Sequence, residues 1–331
     1  MTARVIARPV WPGAVLVLAL ASPAAAQRNA IPQATRSDAN RLIDAALRDS
    51  AAYQRLTLLV DQFGPRFSGT ENLERAIDWI LAEMKSDGLA NVRGEPVMVP
   101  RWVRGEESAE LISPRRVRLP MLGLGGSIGT LADGITAEVL VVGSFQELTT
   151  RAADARGRIV LYDVPFTSYG ETVQYRTMGA VEAAKAGAVA SLIRSVTPYS
   201  MKTPHTGSMR YEDGVPRIPH AALTPEDAGM LRRMQERGER VVVRLWMSAQ
   251  TLPDAPSRNV VAEVLGREKP DEVVVLGGHI DSWDVGQGAM DDGGGSVAAW
   301  EAVRLIHRLG LRPRRTVRVV LWTNEENGVD G

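Results

Sequence analysis

The chain has 331 residues, with 39 Lys plus Arg against 39 Asp plus Glu, four His and no Cys. Without Cys there can be no disulfide, iron–sulfur cluster, thiolate zinc site or Cys nucleophile. The balanced charge supplies no long-range field for nucleic acid or an anionic membrane. Any metal site must be built from His, Asp and Glu. Arg4 and Arg8, the apolar run Ala14–Leu20 and the small residues Ala24-Ala25-Ala26 together read as a signal peptide over 1–26. The run is too short to span a bilayer, so the expectation is an exported chain, periplasmic or secreted, with no membrane anchor.

Residues 27–36 are polar. Helical patterning from Ser37 to about Phe63 predicts two helices broken near Asp49-Ser50, and Gly64-Pro65-Arg66 ends the pattern. Ser68-Gly69-Thr70-Glu71 reads as a capping box. Leu73, Ile77, Ile80 and Met84 then share one helix face, with Gly88 as C-cap. Short β-like runs follow at Glu138–Val142, Arg158–Tyr162 and Val241–Trp246. Thr177–Ala186 reads as a helix and Ala188–Ile193 as a strand. Residues 121–250 thus form an α+β unit, and the Pro-rich Thr251–Pro256 closes it as a linker.

Asn259–Leu265 and Glu272–Leu276 are Val-rich strands, Gly293–Leu309 is a helix and Thr316–Trp322 a further strand. Strand, helix, strand at this spacing predicts parallel strands, with the site at their carboxyl ends. Three clusters fall there: His279 and Asp281, then Asp291-Asp292, then Glu325-Glu326. Crowded carboxylates repel unless a cation neutralises them, and His with carboxylates suits zinc. His279 can ligate while Asp281 fixes its tautomer. Asp291 can bridge a metal pair. Neighbouring side chains diverge, so one of Glu325 and Glu326 can bind metal while the other faces the attacking water as general base.

GGHIDSWDVGQGAMDDGGG and LWTNEENG resemble the co-catalytic zinc aminopeptidase family, and within it the carboxypeptidase Q branch. Gly64-Pro65-Arg66-Phe67-Ser68-Gly69 and Thr203-Pro204-His205-Thr206-Gly207 are similar to that branch too. The resemblance implies His279 as terminal ligand, Asp291 as bridge, Glu326 on a second zinc and Glu325 as general base. It implies a cis peptide after Asp291. It also implies a doubly wound mixed α/β sheet, formed by 27–120 and 251–331, with 121–250 as an inserted protease-associated domain.

The expected function is an exported zinc-dependent exopeptidase acting on dipeptides or the ends of short peptides. Its partner is a short peptide, not nucleic acid, and a homodimer is left open. The family's remaining Asp and His ligands lie well after the double Glu, whereas this sequence stops five residues after Glu326. The expectation is therefore an amino-terminal portion of such a peptidase, inactive alone. A non-catalytic peptidase-like binding protein and a glutaminyl-cyclase-like acyltransferase are the alternatives. Among the other His, 205 and 220 could reach across to a substrate but read first as satisfied loop residues, and 307 reads as a solvated helix residue. The Gly-rich stretch 123–129 lacks nucleotide-loop spacing and reads as a turn.

Overall fold

The computed structural model describes residues 31–199, 201–328 and 331, so the signal-like segment lies outside the described residues. The described residues divide into two units between Arg41 and Leu42. Helix α1 (Gln33–Ala46) is followed by α2 (Ala51–Leu58) and a π-type turn over Leu59–Phe63. The predicted break falls at Asp49, whose carboxylate accepts the Ala51 N–H at 2.8 Å. Helix α3 (Glu71–Ser86) is capped by Thr70 rather than Ser68. The Ser68 hydroxyl is buried and turned to Asn324 instead, so Thr70 is a simple N-cap bonded to the Leu73 N–H and the predicted capping box does not form.

Strand β1 (Ala90–Val103) leads into β2 (Glu107–Ser113), β3 (Val117–Leu119), β4 (Met121–Gly123) and β5 (Ile135–Val142). Then come the short helices α4 (Phe145–Thr150) and α5 (Ala152–Ala155), β6 (Ile159–Tyr162), α6 (Tyr169–Lys185) and β7 (Ala190–Arg194). The run continues through β8 (His220–Leu223), α7 (Pro225–Glu236) and β9 (Val242–Met247). These strands make an eight-stranded mixed sheet in the order β3-β2-β9-β5-β6-β7-β8-β4, parallel from β5 to β8. Its central strands are buried on both faces, as parallel strands covered by helices must be. Ile159 and Leu161 of β6 join one core, while Val160 and Tyr162 join the other with Ala180 and Ala183 of α6. Because β2 and β3 pair into this sheet, its membership starts at Glu107, ahead of residue 121.

Strand β10 (Gln250–Val264), β11 (Lys269–His279), α8 (Gly294–Arg308) and β12 (Arg315–Trp322) complete the chain. With β1 they form a four-stranded mixed sheet, β1-β10-β12-β11. Strands β11 and β12 run parallel, joined by α8, as the spacing predicts. Helices α3 and α8 cover this sheet through Ile77, Ile80, Met84, Val297 and Trp300. Each such fully buried side chain contributes about 1.5–3 kcal/mol.

The Pro-rich stretch is not a linker. Residues 250–256 pair antiparallel with β1, Val103 opposite Gln250 and Met98 opposite Pro256. The other neighbour, β12, pairs only from Val260 onward. Pro253 and Pro256 thus sit where the strand has an open edge, and a missing N–H there costs no ladder bond. The β1–β10 ribbon carries the chain out to the eight-stranded sheet and back, which places that unit over the ends of β11 and β12.

Candidate metal centre

The parallel pair sets the site. His279, the last residue of β11, lies opposite Trp322, the last of β12, and the Ile280 N–H donates to the Trp322 carbonyl at 2.7 Å. The residues after each strand therefore leave the sheet side by side. Gly278 permits the start of α8 to close over this edge, since a Cβ there would lie 2.8 Å from the Ser296 backbone nitrogen. The close approach lets Asp292 accept the His279 N–H at 3.1 Å and the Gly295 N–H at 3.1 Å. Asp292 is thus a structural group joining strand end and helix start. The Asp291–Asp292 peptide is cis.

His279 Nε2 is 3.1 Å from Asp291 Oδ1, and donor atoms of His279, Asp291 and Glu326 lie within 4.8 Å of one another. His279 Nδ1 faces the fully buried Asp281, 3.2 Å from Oδ1, so the proton on Nδ1 leaves Nε2 free to ligate. The same Asp281 carboxylate accepts the backbone N–H groups of Glu325 and Glu326, each at 3.1 Å. One buried carboxylate therefore orients the imidazole and the loop after β12 together. Glu325 is more exposed than His279, its Oε2 being 3.9 Å from His279 Nε2, outside the three-donor cluster.

Without a cation this arrangement is electrostatically crowded. Burial, then the charges of Asp291 and Asp281, push the Glu326 carboxyl up to about 8. Burial draws His279 down, but the Asp281 hydrogen bond and charge outweigh it, with the Glu326 and Glu325 charges, and hold it up at about 9. One imidazole and two carboxylates converging on a single point, with the second imidazole nitrogen already bonded, fit a zinc ion in chemistry and in spacing.

Several residues at the site escape sequence patterning. Arg66 is fully buried and donates to the carbonyls of Gly64, Ile280, Gln287 and Gly288 at 2.8–3.1 Å. It ties the loop before α3 to the loop between β11 and α8. Its only sequence signal was the Gly64–Gly69 motif. From the eight-stranded sheet's side, Tyr169, Arg176 and His205 line a cavity of about 460 Å³ whose opposite wall includes Asp291, Glu325 and Glu326. His205 therefore faces the cavity, while His220 is wholly buried against the Ser191 and Arg176 carbonyls. His307 is exposed on α8. Of the Trp residues, 102 and 300 are core, and 283 lines the cavity.

Residues 259–331 match peptidase family M28. Carboxypeptidase Q of Pongo abelii is 53% identical over 330 residues, covering 96% of this chain and 70% of that protein. The chain belongs to peptidase family M28. It is a metallopeptidase chain on that ground, and the carboxypeptidase Q likeness read from its motifs holds. A solved M28 peptidase precursor from Shewanella amazonensis SB2B superposes with TM-score 0.86 at 39% identity, covering 89% of this chain and 69% of that one. The fold also matches a zinc aminopeptidase from Bacillus subtilis, TM-score 0.62 at 22% identity, with 83% and 61% covered. This M28 chain spans about 59–70% of the length of the carboxypeptidase Q relatives. Among the described residues no helix is long and apolar enough to cross a membrane.

Proposed function

We propose that this chain carries the zinc-binding face of an exported exopeptidase that hydrolyses dipeptides or the terminal residues of short peptides. The convergence of His279 Nε2, Asp291 and Glu326 supports the reading most directly. His279 would hold one zinc and Glu326 a second, with Asp291 shared between them. Bound there, zinc supplies Lewis acidity toward a carbonyl and brings the pKa of a water toward neutrality. Asp281 fixes the His279 tautomer. Glu325, outside the cluster but beside it, takes the proton of the attacking water and returns it to the departing amine. Residues 107–247 form an inserted domain over this site, and residues 1–26 direct export. The zinc aminopeptidase description of the Bacillus subtilis fold neighbour accords with this choice of metal. Intact ligands and a base beside them favour catalysis over the peptidase-like binder.

One imidazole and two carboxylates are too few donors to complete two zinc ions, so the remaining ligands would come from outside this cluster. The chain alone is expected to bind zinc without turning over peptide. Chelator-competition titration tests the roles. His279→Ala and Glu326→Gln should each weaken zinc at least roughly tenfold, while Glu325→Gln leaves affinity within about threefold. In a polypeptide of the relatives' length, Glu325→Gln should lose hydrolysis and keep zinc. Equal zinc loss on changing Glu325 and Glu326 would overturn their assigned roles.

A further inference from the structure

The cavity wall opposite the zinc donors holds a cation that the proposed chemistry does not use. Arg176, on α6, is buried, 7% exposed, and lines the cavity. Among the described residues no carboxylate pairs with it. Its hydrogen bonds are to neutral oxygens: Nη1 to the Thr206 carbonyl at 3.1 Å and Nη2 to the Tyr169 hydroxyl at 2.7 Å. Its Nε has no partner among the described residues. A guanidinium has five N–H donors, and two are used here, so one hydrogen remains on each Nη. A buried, hydrogen-bonded but unneutralised cation is costly unless something anionic completes it.

The surroundings give that anion a place. The Thr203–Gly207 motif supplies both the carbonyl that holds Arg176 and the side chain of His205, and Ser195 Oγ anchors the His205 N–H at 3.0 Å. Solvent reaches His205, yet the enclosing walls and then the Arg176 charge hold it below its ordinary pKa, while Asp291 across the cavity pulls it up. His205 thus stands in the field of both Arg176 and Asp291. One cavity of about 460 Å³ joins the two walls, room for a very small peptide.

We propose that Arg176 is the anchor for the free carboxylate of a peptide substrate whose scissile carbonyl lies at His279, Asp291 and Glu326. This deepens the exopeptidase reading and rests on it. The anchor stands on the inserted unit and the zinc donors on the peptidase sheet, so the insert sets the substrate class. Peptides with a free carboxyl terminus close to the scissile bond fit, dipeptides best, while amidated or extended ones leave Arg176 unpaired.

The test is calorimetric titration of the zinc-loaded chain with alanyl-alanine and with its carboxyl-terminal amide. The wild type should bind the acid roughly ten- to a hundredfold more tightly than the amide, the range for a charge-assisted hydrogen bond. Arg176→Gln should bring the acid down to the level of the amide and leave the amide unchanged, with Arg176→Lys between. Equal affinity of the wild type for acid and amide, no binding of either, or equal weakening of both in Arg176→Gln would overturn the proposal. The comparison of acid and amide in the wild type stands even if the variant fails to fold. Failure of the wild type to bind zinc would sink the exopeptidase reading instead. The preference for acid over amide, measured on the zinc-free chain, would still report on Arg176.

Discussion

The Asp281 carboxylate lies 3.2 Å from His279 Nδ1 while accepting two backbone N–H groups from the loop after β12. Ring orientation and loop position therefore share one acceptor. Asp281→Ala should weaken zinc binding by roughly ten- to a hundredfold, the usual cost of losing a group that orients a metal-binding imidazole. It should also destabilise the zinc-free protein, because buried N–H donors lose their partner at about 1–3 kcal/mol each. Asp281→Asn, which keeps one acceptor oxygen, should fall between. Chelator competition and urea unfolding measure the two effects. Unchanged zinc affinity in Asp281→Ala would show that His279 is oriented by other contacts.

Arg66 is held up by carbonyls alone. Burial draws its pKa down to about 10, and the nearby Asp281 charge opposes that shift. Arg66→Met would leave four carbonyls of three loop segments without their donor, and a loss of about 3–5 kcal/mol is expected. Lys should recover only part, since a single ammonium cannot reproduce the planar fork. Urea midpoints give the stability, and limited proteolysis within 282–290 reports whether the loop has come loose. A variant as stable and as protease-resistant as the parent would contradict this role.

His220 makes acid sensitivity predictable. It is completely buried, and burial holds its pKa at about 4, against the pull of the Ser191, Tyr175 and Arg176 carbonyls. The unfolded chain binds this proton near 6.5 and the folded chain only near 4. Between those values the unfolded state carries more protons, so stability rises with pH there. The contribution is complete above about 6.5 and is lost as pH falls toward 4, with a slope of about 1.4 kcal/mol per pH unit. His220→Gln should flatten the stability profile in that window relative to the parent. Identical slopes would assign the acid sensitivity to other groups.

The metal cluster was legible because its residues sit within three short segments whose strand–helix–strand periodicity places them on one edge. His279 and Asp291 needed only that pattern and their own chemistry, whereas the choice of Glu326 over its neighbour Glu325 rested on the family resemblance. Arg176 and His205 were not legible in the same way. They reach the cavity through the β1–β10 ribbon, and no local period carries that long-range placement. The ribbon itself was hidden because Pro253 and Pro256 signal a turn, and only an open strand edge makes them compatible with pairing. Ser68 misled for a related reason: its hydroxyl is drawn to a residue 256 positions away, so the local capping pattern lost to a tertiary contact.

The Gly-rich stretch over 123–129 reads locally as a turn, and its glycine requirement is tertiary. A Cβ on Gly125 would lie 2.1 Å from Cη2 of Trp283. Neither side can yield freely. The Gly125 N–H donates to the Gly207 carbonyl at 3.0 Å, and the Gly125 carbonyl accepts from Met209 at 2.9 Å. Trp283 is stacked on Phe67, ring centroids 4.8 Å apart, and Phe67 packs edge-on against Trp102. Gly125→Ala must therefore displace Trp283 from a cavity wall, at about 1–3 kcal/mol, the usual range for overpacking. The near-ultraviolet circular dichroism of the Trp cluster should change with it. Gly170→Ala is the matched control: it lies in the first turn of α6 with nothing within 4 Å of the added carbon, and should raise stability by about 0.4–1 kcal/mol. If both variants shift the unfolding midpoint alike and the near-ultraviolet signal stays put, the Gly125–Trp283 contact does not set the position of that wall.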